Sequence, residues 1–474
     1  VGLIPRPLGR KFLWILRCLR RCCLIQNFRG KQPALMTKKK LKIMLINPPN
    51  CGRSIPEEEY GITSLKQIFK GEPFNLEVLA GPLIDHDVMI MDLKCEPDGA
   101  LWKAFDDFQP DVVGLTSLTC EANTVIGIAR GVKEKSNAIV VIGGNHATYN
   151  PEYFNRADFD YIAVGLAKKS FRDLIDHLAF GREPTGLAGI ARCAPGAPLA
   201  YTKRSFDEKD LMDDIPPRYD LVAQYRDRYF LEHLGLTMGF VITAYGCTHR
   251  CSFCTIPEMT GGKYLNHSAG AVLRDIQLLG DIPFIRMVDA NTFGNLSLSL
   301  DLYAKIMQSG IRKKFFADVR ADTIVKNPDL MKKWKEAGLY AVVIGFEDFQ
   351  DARLDGYNKK YQGRVIHEAI EILHDLGIIM VGDFIASPDY DESDFEKLEA
   401  FIVAHKIQIP VISVLTPIPG TPLYEKMKKD IVTDDLDYYT FTNAVTKTKM
   451  PEARFYKTFA DMVKRLHRQP HKTT

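Results

Sequence analysis

The chain has 474 residues, enough for two or three domains of ordinary size. Its 46% hydrophobic and 26% charged residues are the proportions of a globular protein. No stretch approaches the ~18–20 uninterrupted apolar residues of a spanning helix, so no integral membrane segment is expected. Ten unevenly spaced cysteines are too few for a disulfide scaffold. The net charge of +3 arises before Met36: residues 1–35 hold eight Lys or Arg and no acid. What remains, Met36–Thr474, has 54 basic against 59 acidic residues, a net −5. A slightly acidic body is not the footprint of a nucleic-acid-binding protein.

Within the first 35 residues, Phe12–Cys23 alternates apolar residues with Arg and Cys and is too broken to span a bilayer. A poor signal or transit peptide and a basic membrane-surface helix are both open readings. The reading adopted is a basic extension that is unstructured or assigned upstream of the native start, because MTKKKLKIMLINPP from Met36 resembles a start leading into a buried strand. Residues 36–183 then alternate short Val/Ile-rich runs (KIMLINPP, DVMIMDL, DVVGLTS, AIVVIGG, DYIAVG) with the helix-like stretches Asn75–Ile84, Gly99–Phe108 and Asn123–Ser136. This alternation predicts a parallel, Rossmann-like α/β sheet covered on both faces. Ligands of such sheets lie at the carboxyl ends of the strands. The loops of interest are therefore Asn47–Gly61, Thr116–Asn123, Gly143–Asn150 and Gly165–Ser170.

Residues 184–236 lose the periodicity and read as a connector. A second series follows in residues 237–429: GFVITAYG, FIRMVDA, FFADVRA, AVVIGFE, MVGDFIA and VISVLTP. Six βα units of about 30 residues fit a partial TIM-like barrel with its chemistry at the C-terminal strand ends. Residues 430–474 read as a small mixed appendage.

The first strand of the second series leads into Cys247-Thr-His-Arg-Cys251-Ser-Phe-Cys254. Three thiolates in one short loop can converge on one centre, and soft thiolates select zinc or iron–sulfur clusters. Three cysteines leave a fourth position open. His249 and His267 are the nearest residues that could complete a zinc site.

The string resembles the CxxxCxxC motif of the radical S-adenosylmethionine (SAM) superfamily, with Phe253 as the aromatic before the last cysteine. The resemblance implies that Cys247, Cys251 and Cys254 hold three irons of a [4Fe–4S] cluster. The fourth iron would bind the amino and carboxylate groups of SAM, and the reduced cluster would cleave the sulfonium to a 5′-deoxyadenosyl radical. An external low-potential donor such as flavodoxin or ferredoxin is implied as well. Asp289 in VDANTFGN, Arg320 in ADVRAD and Glu347 in IGFED stand at later strand ends, where the family places groups near the SAM amino group, carboxylate and ribose. A solvated rim residue is the plain alternative for each. PIPGTPLY (Pro417–Tyr424) recurs in the superfamily and reads as a structural turn.

The first domain resembles the cobalamin-binding module that precedes many of these enzymes, on NPP (Asn47–Pro49), GLTSLT (Gly114–Thr119) and GGNHAT (Gly143–Thr148). By that resemblance Gly143 and Gly144 allow close approach of the corrin or its nucleotide tail. Thr116, Ser117 and Thr119 offer hydroxyls, and His146 would bond a corrin amide or serve as a structural histidine. Two strings depart from the family. There is no DxHxxG, so no histidine is evident below the cobalt, and the loop Tyr60-Gly61-Ile62 could cover that face. Gly165-Leu-Ala-Lys-Lys stands where an acidic turn is usual. A partner domain without cofactor is the alternative; a dinucleotide site is disfavoured because no GxGxxG follows the first strand.

Together these resemblances imply a cobalamin-dependent radical SAM methyltransferase acting on an unactivated carbon of a small molecule or lipid. An oxidative cyclase or rearrangement enzyme with the same cofactors is the first alternative. A tRNA methylthiotransferase is the second, invited by Cys51, Cys95 and Cys120 but unsupported by the strings around them. A non-catalytic cobalamin or iron–sulfur sensor is the third. The cluster implies an anaerobic cytosol, with peripheral membrane contact if the substrate is a lipid. DLDYYTFTNAV (Asp435–Val445) is conspicuously aromatic; Tyr438, Tyr439 and Phe441 are expected to pack against the barrel, or else to wall an apolar substrate.

Overall fold

The structure, a computed structural model, describes residues 38–62, 69–231 and 236–468. The basic extension and the expected start at Met36 lie outside these. Everything described below belongs to one compact unit, Lys39–Thr474. Among the described residues, no helix is long and apolar enough to cross a membrane.

In chain order the strands are β1 (Lys42–Asn47), β2 (Phe69–Lys70), β3 (Asp87–Asp92), β4 (Val112–Thr116), β5 (Ile139–Gly143), β6 (Tyr161–Ala163), β7 (Ile190–Arg192) and β8 (Phe230–Leu231). They continue with β9 (Leu236–Val241), β10 (Ala244–Tyr245), β11 (Leu265–Asn266), β12 (Phe284–Met287), β13 (Lys314–Val319), β14 (Leu339–Glu347), β15 (Ile379–Ala386) and β16 (Ile409–Val414). All eleven runs named from the sequence overlap one of these strands.

The first sheet has the order β3-β1-β4-β5-β6-β7. Its first five strands are parallel, and β7 is an antiparallel edge supplied by the connector. Ile43, Met44, Leu45 and Ile46 of β1 are completely buried, as a central strand covered on both faces requires. Pro48 and Pro49 end that strand because proline cannot donate to the ladder. The chain leaves β1 for β3 on one side and returns to β4 on the other, so the β1–β4 boundary is a topological switch point, with a crevice at the strand ends. Asn47 donates to Asp92 across the neighbouring strand ends at 2.8 Å.

The second sheet runs β16-β15-β14-β13-β12-β9-β8-β2. Its six parallel strands β9 and β12–β16 curl into the partial barrel, and β8 and β2 extend it antiparallel. Helices such as Ala269–Leu278, Pro328–Ala337 and Gly363–Asp375 cover its outside. Trp334 is completely buried, edge-on to Phe293 and Phe315.

A buried acidic pair lies where the two sheets meet. Glu72 accepts from the Phe240 amide of β9 at 2.5 Å and pairs with Arg226. Burial raises Glu72 to about 7. Glu77 is completely buried, and its burial together with the Glu72 carboxylate holds it well above the usual carboxylate range. The folded state therefore keeps a proton on Glu77 that the unfolded chain releases at ordinary carboxylate pH. Stability from this group is lost as pH rises above that value. Thermal unfolding should show Glu77→Gln more stable than the parent at pH 8.5 and indistinguishable from it at pH 4.

Candidate active site

The cysteine loop is locked by its surroundings. Asp289, 2% exposed just beyond the end of β12, accepts from the amides of Thr243 and Ala244 at 2.6 and 2.8 Å and from the Thr243 hydroxyl at 3.0 Å. It thereby fixes the backbone that enters β10. Gly246 follows at φ 85°, and a Cβ there would lie 2.0 Å from the Lys263 carbonyl oxygen, so only glycine fits. The loop is then tied down by three bonds: Ser252 N to Tyr357 O (3.0 Å), Asn358 Nδ2 to Arg250 O (2.6 Å) and Leu423 N to Ser252 O (2.9 Å). The last of these gives the PIPGTPLY turn its structural part.

Cys247, Cys251 and Cys254 are half-buried and in no disulfide. Burial raises the Cys251 thiol, and Lys359 and Arg320 draw it back; burial pushes Cys254 up to about 12. Among the described residues, no three His, Cys, Asp or Glu side chains are gathered as a single metal ion requires. The donor set nevertheless suits a cluster, in which each thiolate takes its own iron and an open position remains. His267 is engaged by Asp213 at 2.6 Å.

Two further strand-end groups converge on this loop. Arg320 donates to Asp322 (2.9 Å) and to the Lys359 carbonyl (2.7 Å). Glu347 adopts φ 64° at the end of β14 and pairs with Lys359 at 2.8 Å, with Lys359 4% exposed. Burial opposes the ammonium, yet Glu347 holds it charged above the usual lysine range. Nothing in the sequence separated Lys359 from any other lysine.

A cavity of about 390 Å³ opens beside the loop at the ends of β14, β15 and β16. Phe253, Cys254 and Thr255 form one side, with Glu347, Asp383 and Ser413 among its polar lining. Burial and the neighbouring Glu347 and Asp318 hold Asp383 well above the usual carboxylate range. Asp318 pairs with Arg286 and Glu347 with Lys359, but no ion pair reaches Asp383 among the described residues. The sequence places Asp383 in the strand run MVGDFIA without setting it apart as a site residue.

At the first sheet, a cavity of about 150 Å³ is lined by Thr116, Gly143 and Gly144, by Lys168, and from the barrel side by Tyr245 and Met259. The other candidates in the first sheet form a buried belt under this surface. Ser117 donates to the Leu118 carbonyl. His146 Nδ1 meets Thr119 Oγ1 at 3.2 Å, and its ring lies edge-on to Tyr153 and Phe154. Burial lowers His146 to about 4, so it is neutral. Gly144 has φ 92°, and a Cβ there would lie 2.6 Å from Thr116 Oγ1. Its need for glycine thus comes from the Thr116 hydroxyl and from the Ser117 backbone, whose nitrogen would lie 2.8 Å away. In the Gly165-Leu-Ala-Lys-Lys turn, Lys168 donates to the carbonyls of Leu211, Met212 and Ile215 at 2.7–3.0 Å, binding the connector. Tyr60 bonds to the Ala453 carbonyl and Ile62 packs in the barrel core.

Residues 241–402 match the model of the radical SAM superfamily, and residues 64–175 match that of the B12 binding domain. The chain carries a radical SAM domain and a B12-binding domain. Its relatives include an uncharacterized methyltransferase of Pyrococcus horikoshii, 29% identical over 87% of this chain and 89% of the relative. Another is the hopanoid C-3 methylase of Methylococcus capsulatus, 28% identical over 82% and 75%. Among solved structures, the radical SAM methyltransferase TsrM of Kitasatospora setae, with cobalamin and a [4Fe–4S] cluster bound, has the same fold: TM-score 0.66, 18% identity, 89% of this chain and 85% of that one. The cysteine loop falls inside the first matched segment, the radical SAM domain, and β4 and β5 fall inside the second.

Proposed function

We propose that this radical SAM protein is a cobalamin-dependent methyltransferase that places a methyl group from SAM on an unactivated carbon of a small-molecule or lipid substrate, drawing electrons from an external low-potential donor. The observation that carries the reading is that one compact unit holds both a cysteine loop opening on a 390 Å³ cavity and a second cavity walled jointly by the B12-type sheet and by Tyr245 and Met259 of the barrel segment. The names of the relatives support it.

When bound, the cluster and SAM supply a hydrogen-abstracting radical and the cobalamin supplies a transferable methyl group. The chain's own part is placement and exclusion of water. Cys247, Cys251 and Cys254 are the cluster thiolates, and Asp289 holds the backbone that presents them. Arg320 and the Lys359–Glu347 pair set the charge facing Cys251. Thr116, Gly143 and Gly144 line the corrin side, while Ser117, Thr119 and His146 stiffen the layer beneath.

The test combines anaerobic purification with cobalamin and incubation with SAM carrying a deuterated methyl group, a reductant and a lipid and small-molecule extract. The expected result is retained corrin absorption and a product heavier by one labelled methyl in place of hydrogen. A product that only loses hydrogen would replace methylation by oxidative ring closure.

A further inference from the structure

The two tyrosines of the aromatic segment near the C-terminus pack with the first sheet and not against the barrel. Tyr439 is buried in the core of the first sheet, together with Ile418, Leu436 and Val445. Tyr438 lies under the Arg53 guanidinium, 5.0 Å from ring centroid to carbon, and its hydroxyl accepts from Arg53. Asn443 accepts from the Ile55 amide at 2.9 Å and donates to the carbonyls of Arg53 and Tyr438. Thr440 donates to the Arg53 carbonyl and Thr442 to the Ser54 hydroxyl. Asn123 reaches Asp435 and Asp437. The segment is thus anchored on the loop after β1 and on the helix Ala122–Lys135.

Phe441 alone turns the other way. Its carbonyl accepts from the Val414 amide at the end of β16 at 2.7 Å. Its backbone sits at φ 63°, a conformation that a bulky residue adopts only when its surroundings impose it. The anchored threonines on either side impose it. The outcome is a residue 47% exposed to solvent that lines the 390 Å³ cavity together with Phe253, Ile385 and Ile418. Strain and exposure of a large apolar ring both cost stability and are explained together if the ring has a ligand to contact.

We propose that Phe441 is an aromatic wall for the adenine ring of SAM, held in position by the B12-binding domain through the Arg53–Ser54–Asn443 contacts. The proposal rests on the reading of this cavity as the SAM site. A ligand that must reach the open position beside Cys254 and still fill an apolar slot needs a flat, weakly polar ring at its far end, and the adenine provides one. Offset stacking on a phenyl ring adds to the area it buries. Tethering the wall to the other domain makes adenine binding sensitive to whether that domain is seated.

Equilibrium dialysis of the anaerobically reconstituted protein with three labelled ligands tests this: SAM, S-adenosylhomocysteine and methionine. Phe441→Ala and Phe441→Gly should each weaken the two adenosyl ligands about tenfold and leave methionine binding unchanged, while Phe441→Trp keeps all three. Glycine is included because it accepts the left-handed backbone, so its melting temperature should not fall. Asn443→Ala, which touches no ligand, should reproduce part of the adenosyl-specific loss. Unchanged SAM affinity in Phe441→Gly, or an equal loss for methionine, would overturn the proposal. Cluster-loaded parent protein that binds no SAM would overturn the reading of the cavity itself.

Discussion

Cys251→Ala purified anaerobically is expected to lose the iron that the parent retains, about four per chain for a single cubane cluster, and with it all 5′-deoxyadenosine formation. Cys251 is the thiol faced by Lys359 and Arg320, the cations that offset the cost of burying a thiolate. The corrin should still bind, because Thr116, Gly143 and Gly144 belong to the other cavity. Metal analysis and the visible spectrum read both quantities from one sample. Zinc retained in the variant, or iron unchanged, would detach the cluster from this loop.

The second large effect is expected at the Lys359–Glu347 pair. Removing one partner of a buried ion pair leaves an uncompensated charge, which typically costs about 3–5 kcal/mol. Lys359→Met should therefore unfold well below the parent temperature, leaving Glu347 only 9% exposed with no cation at 2.8 Å. Replacing both partners, Glu347→Leu with Lys359→Met, should recover most of the melting temperature, since two apolar groups need no pairing. The recovered protein should nonetheless load cluster poorly if the pair also sets the charge at Cys251. Equal melting temperatures for the single variant and the parent would show that water reaches the pair.

The fold was largely legible because the signals that specify it are local. In the first domain each buried parallel strand lies in a short Val/Ile-rich run that ends at Gly, Pro, Ser or Asp, and each run identified there or in the second series overlaps a strand of one of the two main sheets. The connector was less legible. Ile190–Arg192, an edge strand, and Phe230–Leu231, set between β9 and β2, are too short to carry a period, and they are placed only by pairing with β6 and β9. The helix Asn145–Tyr149, five residues long, is likewise too brief for a 3.6-residue pattern to register.

The site was legible only in part. Cys247, Cys251 and Cys254 are seven residues apart from end to end, so one loop brings them together whatever the rest of the chain does. Asp289 was read as a group for a ligand, yet its oxygens accept from Thr243 and Ala244, about 45 residues earlier. Its strand-end position was visible, but the partner facing it depends on β12 lying beside β9.

By itself, then, the sequence determined the alternation that builds two parallel sheets and the thiol loop that marks the chemistry, because periodicity and close spacing act within one segment. Only the tertiary structure decided which cation neutralises Glu347, why Gly144 must be glycine, that Asp383 faces a cavity without an ion pair, and that Phe441 is held at φ 63°. These features depend on contacts between residues up to 390 positions apart, as from Arg53 to Asn443. Such contacts arise from how the sheets and the C-terminal segment pack, and no local pattern encodes that packing.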